Sequence, residues 1–362
     1  MSNVRPKILS ARRRMKEALI ERDDEIDIVF ISLLIRENPL LVGPPGTAKS
    51  LLIDSLLRWF ADDLKKFSII LSKFSVPEEL FGPISLPELK NGRYVRVTTN
   101  KLPEAHIAFI DEIFKASPAI LNTMLRILNE RVFEQGDGTF VRCPLLMTLA
   151  ASNEWPDSQE LAALFDRFLL RKTVKTVSRD NRHKLLRISD HTPKFDTTIR
   201  VSELEAAVAE VTKIEYSNDA WEALEEILDQ LNDNGIFPGD RRMKKSVNIA
   251  RAYAYLNGSR IVRREHLEPL KFSLWNSPDQ EQKAHKVVLS ICNPSAYKAI
   301  EYLSQAMQVL KSNKKIEDIV TELRSIKEQL EELEDNEKKS QVLSWIEDKI
   351  KRCYEKVLGI RA

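Results

Sequence analysis

Cysteine and histidine are scarce in this 362-residue chain, and their scarcity closes several routes. The three cysteines, Cys143, Cys292 and Cys353, are far apart and odd in number, so neither a disulfide framework nor a zinc site is expected. The five histidines are scattered without metal-ligand spacing. Net charge is almost absent: 56 basic and 54 acidic residues leave +2, which makes no case for a polyanionic partner. Long apolar runs are missing as well. The most apolar early stretch, Ile28 to Ile35, is far shorter than the roughly 20 residues a bilayer span needs. The opening MSNVRPKILSARRRMK has no apolar segment after its charges, so no secretory signal is expected. A soluble protein of the cytoplasm is the expectation.

What is present is enough apolar residue, 43%, to build two or three domains. From about Ile20 to Val174, helical periodicity alternates with short apolar runs at Leu40–Val42, Ser68–Leu71, Ile107–Ile110, Leu145–Ala150 and Leu169–Val174. That alternation predicts an α/β domain with a parallel sheet covered on both faces. Two stretches break the rhythm and read as β insertions. One is the Pro- and Gly-dotted FGPISLPELKNGRYVRVTTNKLPEA, with a turn signal at Asn91-Gly92. The other is ERVFEQGDGTFVRC, a hairpin around Gln135 to Gly138. After Arg179 the strand signal disappears, and helices are expected at Val201–Thr212, Asn218–Asn232, Asp240–Leu256 and Arg264–Trp275. Asn293-Pro294 interrupts the pattern. Beyond it Ile316, Ile319, Leu323, Ile326, Leu330 and Leu333 form a heptad seam, and Val342 to Leu358 resumes with one apolar face, a helical hairpin within a small bundle. The expected division is a core over 1–190, an all-α lid over 191–276 and a helical bundle over 277–362.

The chemistry gathers at five places. LLVGPPGTAKSLL carries the frame of a phosphate loop, Gly43, Gly46, Lys49 and Ser50, but Ala48 stands where the second glycine of the pattern belongs. Backbone amides and the start of the following helix would hold phosphate oxygens, Lys49 the β- and γ-phosphates, and Ser50 a Mg²⁺ ion. Ala48 fits if its φ is negative, as at a helix start; in the left-handed region it would cost about 1–2 kcal/mol. HIAFIDEI then delivers Asp111 and Glu112 at a strand end. A lone Asp-Glu there is usually solvated, but some sixty residues after Lys49 it suits a Mg²⁺ ligand acting through water (Asp111) and a base for the attacking water (Glu112). LLMTLAASNEWP delivers Asn153, whose neutral amide can orient the same water. ALFDRFLLR offers Arg167 or Arg171 as a cation for a neighbouring phosphate. FPGDRRMKKS opens a helix with Arg241 and Arg242, an electrostatically disfavoured place for cations unless a phosphate faces them.

In this order the five elements resemble the MoxR-type AAA+ ATPases, most closely the regulatory ATPase variant A (RavA) branch, whose phosphate loop also has alanine before the lysine. The resemblance covers roughly Arg12 to Cys292. It implies a P-loop αβα sandwich with a helix-2 insert and a pre-sensor-1 hairpin, then an all-α lid and a helical C-terminal region. The β-rich domain that the family inserts in that last region has no counterpart here. ATP and Mg²⁺ are the implied cofactors. Nucleotide contacts fall at Ile20, Gly43, Pro44, Pro45, Gly46, Thr47, Ala48, Lys49, Ser50 and Leu51, and metal contacts at Ser50 and Asp111. Glu112 and Asn153 (sensor 1) take catalytic roles, with Arg167 as arginine finger and Arg241 best placed as the sensor 2 arginine. A homohexameric ring is implied, remodelling a protein client with a von Willebrand factor A domain protein as partner. A nucleic-acid motor is the alternative class, supported only by the run Arg12, Arg13, Arg14 and Lys16. A nucleotide-gated scaffold with little turnover is a third.

Overall fold

A computed structural model describes residues 4–61, 63–156, 161, 164–188, 192–312 and 314–357 of the chain. The expected boundary between residues 190 and 191, and Leu358, lie outside them. The strands run in chain order β1 (Pro39–Val42), β2 (Lys66–Ile70), β3 (Ile107–Asp111), β4 (Val132–Glu134), β5 (Phe140–Arg142), β6 (Met147–Ser152) and β7 (Leu170–Thr173). Five form one parallel sheet ordered β2-β3-β6-β1-β7. All five expected runs became its strands. The central ones are largely apolar, as in a parallel sheet covered on both faces, and β1 and β6 are buried at every residue. Edge strand β2 is not: Lys66, Ser68 and Ile70 face solvent.

Register sets the site. Val42 pairs with Ser152 and Ile110 with Ala150, so the residues following β1, β3 and β6 emerge together at the carboxyl edge. At the opposite edge the buried Asn38 locks the strand starts: Nδ2 donates to Leu128 O at 3.2 Å, and Oδ1 accepts from Thr148 N at 3.0 Å.

The hairpin forms as expected, β4 antiparallel to β5. The other insertion does not become a β element. It starts at the end of the short helix Pro77–Phe81 and folds as the helix Leu86–Lys90 and the 3₁₀ turn Leu102–Glu104, with a single bridge between Ile84 and Arg96. Ser85 decides this locally, because its side chain caps the Glu88 amide and a proline occupies the first helical turn.

Helices Val201–Val211, Asn218–Asp233 and Asp240–Leu256 match expectation within a residue or two. Two differences follow. Arg264–Phe272 is a 3₁₀ helix, since Pro269 inside it removes an amide donor. The region is also not wholly helical: β8 (Glu215–Tyr216) and β9 (Ile261–Val262) pair in parallel, too short to show a periodicity. One apolar cluster runs from Val4 through the sheet and lid to Cys292, so helix Glu281–Cys292 packs with the lid. Asn293 caps the Ala296 amide at 3.1 Å and Pro294 begins the next helix. Helices Pro294–Lys311, Ile316–Glu331 and Glu337–Val357 then make a three-helix bundle with its own core, in which Ile319, Leu323, Ile326 and Leu330 of the predicted seam are buried. The bundle touches the core at Asp180, which accepts from Trp345 Nε1 and Lys349 Nζ, each at 2.7 Å.

Candidate functional site

The loop after β1 is built around close approach and inverted backbone. Gly43 N donates to Ser152 O at 3.0 Å, and a Cβ on Gly43 would collide with the Val174 carbonyl. Gly46 has φ 77° and Ala48 has φ 66°, ψ 22°. The expectation of a negative φ at Ala48 is therefore corrected. The loop must reverse twice before helix Lys49–Leu57, and a chain alternating in handedness turns its amides inward as an anion-binding concavity. Thr47 Oγ1 braces the turn on Pro44 O at 2.9 Å.

Lys49 is buried and its ammonium donates to Gly43 O at 2.6 Å, Pro44 O at 3.1 Å and Asn153 Oδ1 at 3.0 Å. Burial lowers its pKa, against the opposing pull of Asp111 and Glu112. Asn153 Nδ2 in turn donates to Glu112 Oε1. Glu112 is itself left-handed, φ 53°, and its amide donates to Asp111 Oδ1 at 2.9 Å. Its Oε2 is buried with no hydrogen bond, Lys115 Nζ lying 3.4 Å away. The set contains what a magnesium nucleotide requires: free loop amides, a cation, the exposed Ser50 hydroxyl, and carboxylates at one sheet edge. Among the described residues no cluster of His, Cys, Asp or Glu would hold a metal by itself, which accords with an ion shared with phosphate and water.

Beside the loop, sequence reading missed Arg22. It is buried, and donates to Thr47 O at 3.2 Å, Glu21 O at 2.6 Å and Lys175 O at 2.9 Å. One signal was available: a cation heading the acidic first turn of helix Asp23–Ile35, where the helix field disfavours it. Next to it the half-buried Ile20 precedes Glu21, whose carboxylate accepts from Ser178 N, Ser178 Oγ and Asn181 Nδ2.

The arginines lie elsewhere. Asp166, Arg167, Leu169, Gly239, Arg241, Arg242 and Lys245 line a cavity. Leu169 N donates to Asn38 O at 3.2 Å and Lys245 pairs with Glu37 at 2.5 Å, so this cavity flanks the start of β1, whereas the loop carrying Lys49 follows its end. At about 3.3 Å per residue the two lie on the order of 15 Å apart along the strand. Arg241 is exposed and donates to Asn129 Oδ1 at 2.8 Å. Arg242 is buried against Asp166, Trp275 O and Asn276 Oδ1. Arg167 is half-buried, its Nε without a hydrogen bond. Arg171 is wholly buried, so its guanidinium is not presented to a neighbouring molecule.

The basic run near the N-terminus is engaged within the fold. Arg12 pairs with Asp27 at 2.6 Å and Arg14 with Asp196 at 3.2 Å, while Lys16 reaches Asp27 at 2.9 Å. No helix among the described residues is long and apolar enough to cross a membrane.

A family model described as the MoxR domain in the MoxR-vWA-beta-propeller ternary systems matches residues 6–214, and an AAA lid domain model matches residues 219–288. Two uncharacterised proteins of Methanocaldococcus jannaschii are each 38% identical to the chain. They align over 321 and 308 residues, which is 88% and 84% of this chain and 83% and 81% of theirs. A structural protein of Acidianus two-tailed virus is 30% identical over 237 residues, 64% of this chain and 36% of that protein. Among solved structures, a candidate ATPase from Cytophaga hutchinsonii superposes with a TM-score of 0.63 over 80% of this chain and 94% of its own. At 17% identity that likeness concerns the fold alone.

Proposed function

Since the chain belongs to the MoxR family of AAA+ proteins, we propose that it hydrolyses ATP at sites completed between copies of itself. One observation carries this reading: Lys49, Glu112 and Asn153 lie past the ends of the strands, whereas Arg167 and Arg241 line a cavity at their starts. No subunit brings both groups to one phosphate. A head-to-tail neighbour would, and a closed ring, hexameric in the family this chain resembles, satisfies every subunit at once.

In that arrangement the loop from Gly43 to Leu51, with Ile20 beside it, holds the nucleotide, and Ser50 and Asp111 hold Mg²⁺. Bound Mg²⁺ neutralises the phosphate oxygens and so eases displacement at phosphorus. Glu112 accepts the proton of the attacking water and Asn153 orients that water. Arg167 and Arg241 reach from the next subunit to the γ-phosphate. The Asn153–Glu112 hydrogen bond supports turnover over a scaffold role. The work done is remodelling of a protein client in the cytoplasm. The partner is a protein with a von Willebrand factor A domain, supported by the systems for which the matching model is described. The alanine before Lys49 supports a place near the regulatory ATPase variant A branch. A nucleic-acid motor draws no support, its basic run being paired internally.

Mixing Arg167→Ala subunits, deprived of an arginine typically worth about 10³–10⁵ in rate, with Glu112→Gln subunits tests the reading. Turnover should reappear, because some contacts then join an intact Glu112 to an intact Arg167. If no mixing ratio recovers turnover, the reading is wrong.

A further inference from the structure

Arg171 has no exposure and no carboxylate partner, an expensive state for a guanidinium. It lies against two rings, 4.4 Å from the centroids of both Phe165 and Trp275, which also meet each other at 6.1 Å with a tilt of 49°. Nη2 donates to Trp275 O and, at 3.3 Å, to Ser273 O, while Nε and Nη1 find no acceptor. Burial and the nearby Arg242 push its pKa well down. Packing alone does not account for this, since an apolar side chain of similar volume would fill the space with no unsatisfied nitrogen.

The surroundings give the arrangement a purpose. Trp275 O accepts a second guanidinium, Arg242 Nη1, at 2.8 Å, and Arg242 Nη2 reaches Asp166. Phe165 and Asp166 are the two residues before Arg167. Each is thereby fastened to the lid, Phe165 through the cluster it forms with Arg171 and Trp275 and Asp166 through Arg242 on the lid helix Asp240–Leu256. A guanidinium, its charge spread over several nitrogens, can face both rings while it donates to the lid carbonyls, which the compact ammonium of a lysine does less well.

We infer that Arg171 and Asp166 are positioning residues for Arg167: they clip the segment carrying it to the lid, so the arginine offered to the neighbouring subunit moves with the lid. This rests on the reading that Arg167 acts between subunits.

The test uses full-length Arg171→Met, Arg171→Lys and Asp166→Ala. The last is included because its side chain is 56% exposed and its loss spares the core. In each, nucleotide binding and KM should persist while kcat falls on the order of 10²-fold, as for a displaced reacting group. Addition of Glu112→Gln subunits, which supply a correctly held Arg167, should then restore turnover as it does for Arg167→Ala. A merely structural role moves different quantities: nucleotide binding and melting temperature drop together and no complementation occurs. That outcome for Asp166→Ala, or an undiminished kcat in it, overturns the inference. Failure of the Arg167→Ala control would overturn the intersubunit reading itself, and this one with it.

Discussion

Lys49 Nζ donates to Asn153 Oδ1 at 3.0 Å, so the loop after β1 is tied through one neutral amide to the carboxylate of Glu112. The tie leaves the ammonium resting on loop carbonyls that a phosphate would replace. Hydrogen bonds to charged groups are worth roughly 1.5–3 kcal/mol each. Lys49→Ala is therefore expected to weaken ATP binding by at least that amount. Glu112→Gln should retain binding and lose about 10²–10⁴ in turnover, the usual range for a general base. Fluorescent-nucleotide titration and phosphate release separate the two, and equal losses of binding would refute the division of labour.

Ala48 holds φ 66° without a glycine's freedom. Relief of about 1–2 kcal/mol of left-handed strain set against a glycine entropy cost of about 0.5–1 kcal/mol gives a small net gain. Ala48→Gly should leave the melting temperature equal or slightly higher, and Ala48→Val, branched at Cβ, should lower it. Thermal denaturation of the two variants decides the matter. The reverse order would mean that the loop relaxes out of the left-handed region.

The bundle after Asn293 has its own apolar core, and the buried residues of the larger cluster end at Cys292, with only Tyr297 and Ile300 of the bundle packed against it. A chain ending near Asn293 is expected to assemble and hydrolyse ATP but to lose its protein partner, measured by pull-down alongside ATPase rate. Loss of thermal stability and ATPase together, with partner binding kept, would sink the docking role. The link at Asp180 can be cut separately. Hydrogen bonds from Lys349 and Trp345 hold that carboxyl below the usual range, yet an ion pair so near solvent contributes at most about 1 kcal/mol. Lys349→Ala should thus barely alter melting.

Burial, reinforced by Lys271, Lys172 and Lys175 and opposed by Asp24, pushes the His285 pKa down to about 3. An unfolded histidine binds its proton near pH 6.5, so the unfolded chain gains protons first as pH falls. The stability that His285 contributes as a neutral group is complete above about 6.5 and is lost progressively towards about 3, reaching about 2 kcal/mol at pH 5. His106 and His266 shift in the same direction, also through burial. Urea midpoints at pH 7 and pH 5 should converge in His285→Gln relative to the parent; an unchanged difference would exclude His285 as its source.

The places of the strands and of the loop after β1 could be read from sequence because each rests on a local pattern: a short apolar run, or glycines at fixed spacing before Lys49. The separation of Arg167 from Lys49 could not, since it depends on which end of β1 each residue adjoins. Arg171 illustrates the same limit. In a strand of alternating periodicity an arginine reads as exposed, and only the rings of Phe165 and Trp275, the latter 104 residues away, make room for it. Ser85 turned an apparent β insertion into a helix through one hydroxyl, and Pro269 tightened a predicted helix through one missing amide. Both signals were present, but outweighed by the pattern around them.

In the proposed intersubunit arrangement the two ends of β1 would carry unlike halves of one reaction centre, and this would give each subunit a polarity. An open row of subunits always has one loop at its end that no arginine reaches. Activity measured against concentration should accordingly count contacts rather than chains, rising most steeply where the last gap in the row closes.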